Sequence, residues 1–151
     1  MPHQVVKCSV RGSVGDLAKI TAALEAEGYN ILAIGASEVN HVGMLALIFD
    51  PDQDIGAIAD TVRGVDLDVA GNRRPEDVGT FPDVHILLND TPGQLRRAAE
   101  AVGDINIETI VSIDKMQGKA RVSLSFEDDA TLAEAVRRLR AAHIQIHDHQ
   151  H

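Results

Sequence analysis

The run Asn89-Asp90-Thr91-Pro92-Gly93-Gln94-Leu95 combines the features needed to hold a small anion with main-chain atoms. Thr91 reads as a helix cap and Pro92 as the first helical residue, and Gln94, three residues after the threonine, completes a capping box. A glycine just inside a helix start lets a ligand approach the backbone. The unpaired amides there, aided by the helix dipole, favour a carboxylate. Pro92 removes one donor, so Gly93, Gln94 and Leu95 supply the amides. Downstream, Ile105-Asn106-Ile107 opens a strand.

Other constellations carry less. His147, His149 and His151 alternate, so on an extended strand all three face one way, and imidazole suits zinc, nickel or copper. Successive side chains on one face lie about 7 Å apart, wide for three ligands of one ion, and the reading adopted is a frayed polar tail. Asp50-Pro51-Asp52-Gln53-Asp54 imitates the opening of a calcium loop, yet Ile55 stands where the turn requires glycine and Thr61 where the bidentate glutamate belongs. Acidic residues favoured by a helix start explain the run. The single cysteine, Cys8, excludes an internal disulfide and reads as a buried, inert thiol. His85 and His143 read as sheet-face or helix-end residues. The sequence has no phosphate-cradling lysine loop, nucleotide fingerprint, serine elbow or Cys/His nucleophile pair. No catalytic residue, metal or cofactor is therefore assigned, and the expectation is a protein that is not an enzyme.

The elements that position these residues occur twice. Val6, Cys8 and Val10 alternate as a strand; Leu17, Ile20 and Leu24 form a helix stopped by Gly28; Ile31–Val39 and Met44–Phe49 are strands around Asn40-His41-Val42-Gly43. Asp50 as cap and Pro51 open a helix with Ile55, Ile58, Ala59 and Val62 inward. Val65, Leu67 and Val69 then alternate as a last strand. After the aperiodic stretch 72–82, read as a linker, the pattern returns. Val84, Ile86 and Leu88 alternate; Leu95, Ala98, Ala99 and Val102 line a helix closed by Gly103. Ile105–Ile113 and Ala120–Phe126 are strands joined at Gln117-Gly118. Asp128 or Asp129 caps a helix with Leu132, Val136 and Leu139 inward, and His143–His147 is the last strand. Gly15-Asp16-Leu17 aligns with Gly93-Gln94-Leu95, Tyr29-Asn30-Ile31 with Ile105-Asn106-Ile107, and Ile48-Phe49-Asp50 with Ser125-Phe126-Glu127.

This order predicts an α+β protein of two ferredoxin-like βαββαβ units, each an antiparallel four-stranded sheet with its helices on one face, over residues 1–71 and 83–151. Each half sits near the lower size limit for a self-sufficient core, so it is expected to bury surface against another unit or chain. The formal net charge of −9 opposes a phosphate-binding surface, so no nucleic-acid partner is expected. No apolar run reaches membrane-spanning length and the amino terminus lacks a signal pattern, so the expected compartment is cytoplasmic, without a membrane partner.

Residue content separates the families with this layout. RNA-recognition modules stack bases on aromatic side chains of the central strands, where this chain has Ser9, Val10, Leu87 and Leu124. Heavy-metal-binding domains need paired cysteines in the first loop, and neither Gly12-Ser13-Val14-Gly15 nor Asp90-Thr91-Pro92-Gly93 has one. The chain resembles the ACT domain, a regulatory module that binds amino acids. The resemblance is carried by Asn89 to Leu95 followed by Ile105-Asn106-Ile107, and more loosely by Arg11 to Leu17 followed by Tyr29-Asn30-Ile31.

The resemblance implies ligand-binding residues at Asp90, Thr91, Pro92, Gly93, Gln94, Leu95, Asn106 and Ile107, and in the first half at Gly12, Ser13, Val14, Gly15, Asn30 and Ile31. It also implies a site between two modules, the turn of one facing the second strand of its neighbour. The first half departs from the pattern, with Val14 in place of proline and Asp16 expected to repel a carboxylate at the amides. The implied function is a non-catalytic regulatory protein that binds an amino acid or similar metabolite and acts on an unidentified protein partner, as a homodimer. The alternatives are a detached regulatory subunit of an amino-acid biosynthetic enzyme, such as those of branched-chain synthesis, and a histidine-tail metal-binding protein.

Overall fold

The computed structural model describes residues 3–10, 15–39, 42–68, 70–89 and 91–147. Its elements are β1 (His3–Val10), α1 (Asp16–Ala26), β2 (Ile31–Val39), β3 (Val42–Phe49), α2 (Ile55–Arg63), β4 (Glu76–Asn89), α3 (Gln94–Val102), β5 (Thr109–Met116), β6 (Lys119–Ser125), α4 (Asp129–Ala141) and β7 (Gln145–His147). They group into two compact units, Met1–Thr80 and Phe81–His151.

In the first unit β3 pairs antiparallel with β1 on one side and β2 on the other, and Val6, Cys8 and Val10 point from β1 toward the helices. They meet Ile20 and Leu24 of α1, Leu45, Leu47 and Phe49 of β3, and Ile58, Ala59 and Val62 of α2 in one core. Both helices therefore cover the same sheet face. In the second unit β4 pairs with β6 and β7, and β5 with the outer side of β6, all antiparallel. Its core joins Val84, Ile86 and Leu88, Ala98 and Val102, Val122, Leu124 and Phe126, and Ala135 and Leu139. Each fully buried leucine or isoleucine contributes roughly 2 kcal/mol. This is the ferredoxin-like α+β architecture that the sequence predicts.

Local chemistry sets most boundaries. Asp54 caps α2 by accepting from the Ala57 amide at 3.1 Å, and Asp128 caps α4 by accepting from Thr131 at 2.7 Å. The cap of α2 is thus Asp54 and not Asp50. Asp50-Pro51 lies in the turn ahead of the helix, where Asp50 accepts from Asn30 Nδ2 at 3.5 Å. Gln117 and Gly118 both have positive φ, 53° and 76°, the two-residue geometry that closes a β-hairpin. Val42 and Gly43 already belong to β3, which shortens the first hairpin loop.

Two expectations are corrected. Val65 and Leu67 are buried but form no strand, and Val69 lies outside the described residues. The segment closes on itself: the Leu67 amide donates to Arg73 O at 2.8 Å, and Leu67 O accepts from Lys19 Nζ at 2.7 Å and Arg73 Nη2 at 3.1 Å. With both backbone groups of Leu67 taken by Arg73 and Lys19, neither is free for a ladder. The stretch 72–82 is not a structureless linker, because β4 starts at Glu76 and runs fourteen residues to Asn89. Val84, Ile86 and Leu88 are the part of it that the sequence predicts, within a buried run from Pro82 to Leu88; the residues ahead of that run are exposed or half-buried and show no alternation.

Candidate functional site

Helix α3 does not start as a capping box. Its N-cap is Gly93, in left-handed conformation with φ 86°, and no side chain caps it; Thr91 and Pro92 lie in the preceding turn. Gln94 is therefore the first helical residue rather than the third. The Thr91 amide donates to Asn89 O at 2.8 Å, a local bond that fixes the turn. The first intrahelical bond runs from the Arg97 amide to Gly93 O at 2.9 Å, so the amides of Gln94, Leu95 and Arg96 precede the ladder. Arg96 was not foreseen because the predicted helix began two residues earlier. A Cβ built on Gly93 meets no atom within 4 Å, so the backbone there is open to an approaching group. Thr91, Pro92, Gly93 and Leu95 are exposed, and Asp90 lies outside the described residues.

The asparagine of the second strand has a different neighbourhood in each unit. Asn106 is exposed and donates from Nδ2 to Glu108 Oε1 at 3.2 Å. Asn30 is fixed at its backbone by Gln53, whose Oε1 accepts from the Asn30 amide at 2.8 Å and whose Nε2 donates to Asn30 O at 2.9 Å. Ile31 and Ile107 are half-buried against the two cores, so each Asn-Ile pair anchors one side chain and presents the other.

The first unit repeats the helix start. Gly15 is the N-cap of α1, left-handed at φ 105° with no side-chain cap, and the Lys19 amide donates to Gly15 O at 3.0 Å. Gly12, Ser13 and Val14 lie outside the described residues. Asp16 is buried and bonded to Arg73 Nη1 and Nη2 at 2.7 and 2.9 Å. The hydrogen bond that Arg73 donates to Asp16 raises the guanidinium pKa above its ordinary value. Its charge is thus met inside the unit, and the repulsion expected of Asp16 is offset by a cation that the sequence reading left in a linker. The sequence signal was there: two arginines follow Asp66, Asp68 and a glycine turn.

The other chemical groups resolve into structure. Asp50 to Asp54 line a cavity of about 450 Å³ with Gln4, Phe49 and Ile55. Among the described residues no three His, Cys, Asp or Glu are placed to hold a metal ion. His147 is half-buried in β7, while His149 and His151 lie outside the described residues. Cys8 is buried, and burial pushes its thiol to about 11. On the sheet face away from the helices, Asp83, His85 and Ser123 are buried together: Ser123 Oγ donates to Asp83 Oδ2, and His85 Nε2 stands 3.0 Å from the same oxygen. The carboxylate sits between serine and imidazole, which is not the order of a nucleophile relay.

Residues 83–150 match the family model of the TTHA0829-like ACT domain. The second unit is an ACT domain. The turn at Gly93 and Asn106 both fall inside the matched ACT region; Asn106 precedes β5, which starts at Thr109 and not at Ile105 as the sequence predicts. Among curated proteins none matches this sequence. Among solved structures the chain is similar to the regulatory subunit of aspartate kinase from Thermus flavus (19% identity, 95% of this chain and 94% of that one, TM-score 0.68). It is also similar to the ligand-free regulatory subunit of aspartate kinase from Thermus thermophilus (18%, 93% and 92%, TM-score 0.66) and to protein BT0572 from Bacteroides thetaiotaomicron (16%, 97% and 92%, TM-score 0.66). These likenesses extend the fold over both units. Among the described residues no helix is long and apolar enough to cross a membrane.

Proposed function

We propose that this chain is a non-catalytic regulatory protein that binds an amino acid or similar small metabolite where ACT-like units meet and thereby modulates a partner protein. The observation that carries this is Gly93: a left-handed residue with open space over it, starting a helix whose leading amides have no side-chain cap. Such amides favour a carboxylate, and the exposed Asn106 side chain supplies a further polar group. Gly15 opens α1 in the same way, with Asn30 and Ile31 as the matching strand start.

A duplicated apolar pair supports a site between units. Leu17 and Leu95, at equivalent helix starts, and Ile34 and Ile110, at equivalent positions in β2 and β5, are exposed. Leu17 and Ile34 belong to the first unit and Leu95 and Ile110 to the second, and the outer strands β2 and β5 each offer an edge for sheet extension, which favours a homodimer; the proposed compartment is the cytoplasm. Binding would then favour one arrangement of units through its differential affinity for the alternatives.

A second reading, a detached regulatory subunit of an amino-acid biosynthetic enzyme, is supported by the fold shared with aspartate kinase regulatory subunits. Co-purification of a larger catalytic chain tests it.

The test of the site is a thermal-shift screen against the common amino acids on the full chain and on Gly93→Val. Gly118→Val, at a left-handed glycine in the β5–β6 hairpin, controls for backbone strain. A ligand that stabilises the wild type and the control but not Gly93→Val is expected. A shift that persists in Gly93→Val overturns the assignment.

A further inference from the structure

A second concavity of the second unit, of about 60 Å³, lies behind the start of α3. Its polar lining comes from Asn89 at the end of β4, Gln94 and Arg97 of α3, Lys119 at the start of β6, and His143 and Gln145 around the turn into β7. Among the described residues no aspartate or glutamate lines it, although the chain has 23 acidic against 14 basic residues. Lys119 Nζ donates to Gln145 Oε1 at 2.7 Å and Arg97 Nη2 to Ala142 O, so both cations are aimed by the fold and keep further donors. The concavity is small beside the one at Asp50 to Asp54, about 60 Å³ against about 450 Å³, and its two cations suit one anionic group.

The first unit shows the opposite arrangement at the matching positions. The helix starts set Asp16 opposite Gln94 and Lys19 opposite Arg97. Carrying the register from Phe49 and Phe126 through Val62 and Leu139 sets Asp66 opposite His143 and Asp68 opposite Gln145. Three carboxylates thus stand in the first unit where the second has none. The chain brings its own guanidinium groups to two of them, Arg73 to Asp16 and Arg74 to Asp66, the latter at 2.7 Å. At the matching positions of the second unit, among the described residues, the cations are present and the carboxylate is not.

We propose that this cavity is an anion subsite that takes a single carboxylate from outside the unit, with Arg97 and Lys119 as its charged donors. The proposal goes beyond the amino-acid reading and does not rest on it, because a carboxylate without an ammonium group suffices.

The test is an NMR titration of the isotope-labelled full chain with sodium acetate, against sodium chloride at matched ionic strength. Saturable shifts at Gln94, Lys119, His143 and Gln145 are expected with acetate alone. Arg97→Gln and Lys119→Gln should each weaken binding roughly ten-fold or more, and Arg140→Gln, on α4 outside the cavity, should not. Chloride reproducing the shifts, the absence of saturation, or an equal loss in Arg140→Gln would overturn the proposal. Arg97 also supports Ala142 O, so Lys119→Gln and the wild-type titration decide if Arg97→Gln fails to fold. L-aspartate binding more tightly than acetate and losing that margin in Lys119→Gln assigns the subsite to an amino-acid side chain; equal binding assigns it to a free carboxylate. L-alanine without effect on a chain that acetate saturates refutes the reading at Gly93 and leaves the subsite standing.

Discussion

Arg73 grips Asp16 through two parallel hydrogen bonds, Nη1 to Oδ2 at 2.7 Å and Nη2 to Oδ1 at 2.9 Å, tying the first residue of α1 to the segment that leads into β4. The Asp16 side chain is 2% exposed, so removing the guanidinium strands a carboxylate away from water. Arg73→Leu is expected to lower the thermal midpoint of the first unit by about 5 °C or more. Arg73→Lys should recover little, because an ammonium cannot make two parallel bonds in the plane of a carboxylate. Circular dichroism melts check both, and an unchanged midpoint in Arg73→Leu would refute the clamp.

Gly93 and Gly103 bracket α3 with positive φ but with ψ of −2° and −121°, so they differ in backbone strain as well as in surroundings. At Gly93, φ is 86° and a Cβ meets nothing within 4 Å; at Gly103, φ is 68° and the Cβ comes 3.2 Å from Arg138 Nη1. Gly93→Ala should therefore show backbone strain alone, about 1 kcal/mol. Gly103→Ala should cost more, because Arg138 must leave Val102 O, to which it donates at 2.8 Å. Urea midpoints of the two variants rank the effects, and the reverse order would contradict this account.

Glu134 on α4 supplies the acid limb of stability. The hydrogen bonds from Arg137 and then Arg138 bring its carboxyl down to about 2, below the ordinary 4.5. A group whose folded pKa is depressed contributes above its unfolded pKa and loses that contribution as pH falls through the folded one. Glu134→Gln should thus be less stable than wild type near neutrality, with the gap closing between pH 4.5 and about 2. The ion pairs are surface-exposed, so molar salt should shrink the gap. Denaturant titrations across that range decide it.

Cys8 is expected to resist iodoacetamide in the native chain and to react once the first unit unfolds. Burial raises its thiol from 9.0 to about 11, which keeps it protonated at neutral pH. Because the folded pKa is the higher one, this contribution is whole below pH 9 and is lost as pH rises through about 11. Cys8→Ala should lack that alkaline decline. Rapid native labelling at neutral pH would refute the assignment.

Elements were legible in the sequence where apolar residues recur at one spacing: Val6, Cys8 and Val10 in β1, alternating with Lys7 and Ser9, and Ala98 and Val102 in α3. Only the first part of β4, Glu76 to Pro82, was hidden, because its exposed and half-buried residues, Glu76 to Phe81, follow no alternation; Val84, Ile86 and Leu88 mark the rest. Val65 and Leu67 misled in the other direction. Their spacing is that of a strand, but Arg73 and Lys19 take the Leu67 carbonyl, and a contact made across the fold leaves no local mark. At the candidate site, the Gly93 turn and Asn106 were legible from composition. The cap was misplaced because threonine ahead of proline and glycine satisfies the side-chain rule for a cap while the left-handed glycine takes the position itself.

The leading donors of α3 are peptide groups, and this separates two kinds of inheritance. Short of introducing proline, a replacement of Gln94, Leu95 or Arg96 keeps the N–H where it is and alters only what surrounds it. A lineage could therefore trade one guest for another by editing the rim while the grip on the part common to all guests passes down unaltered.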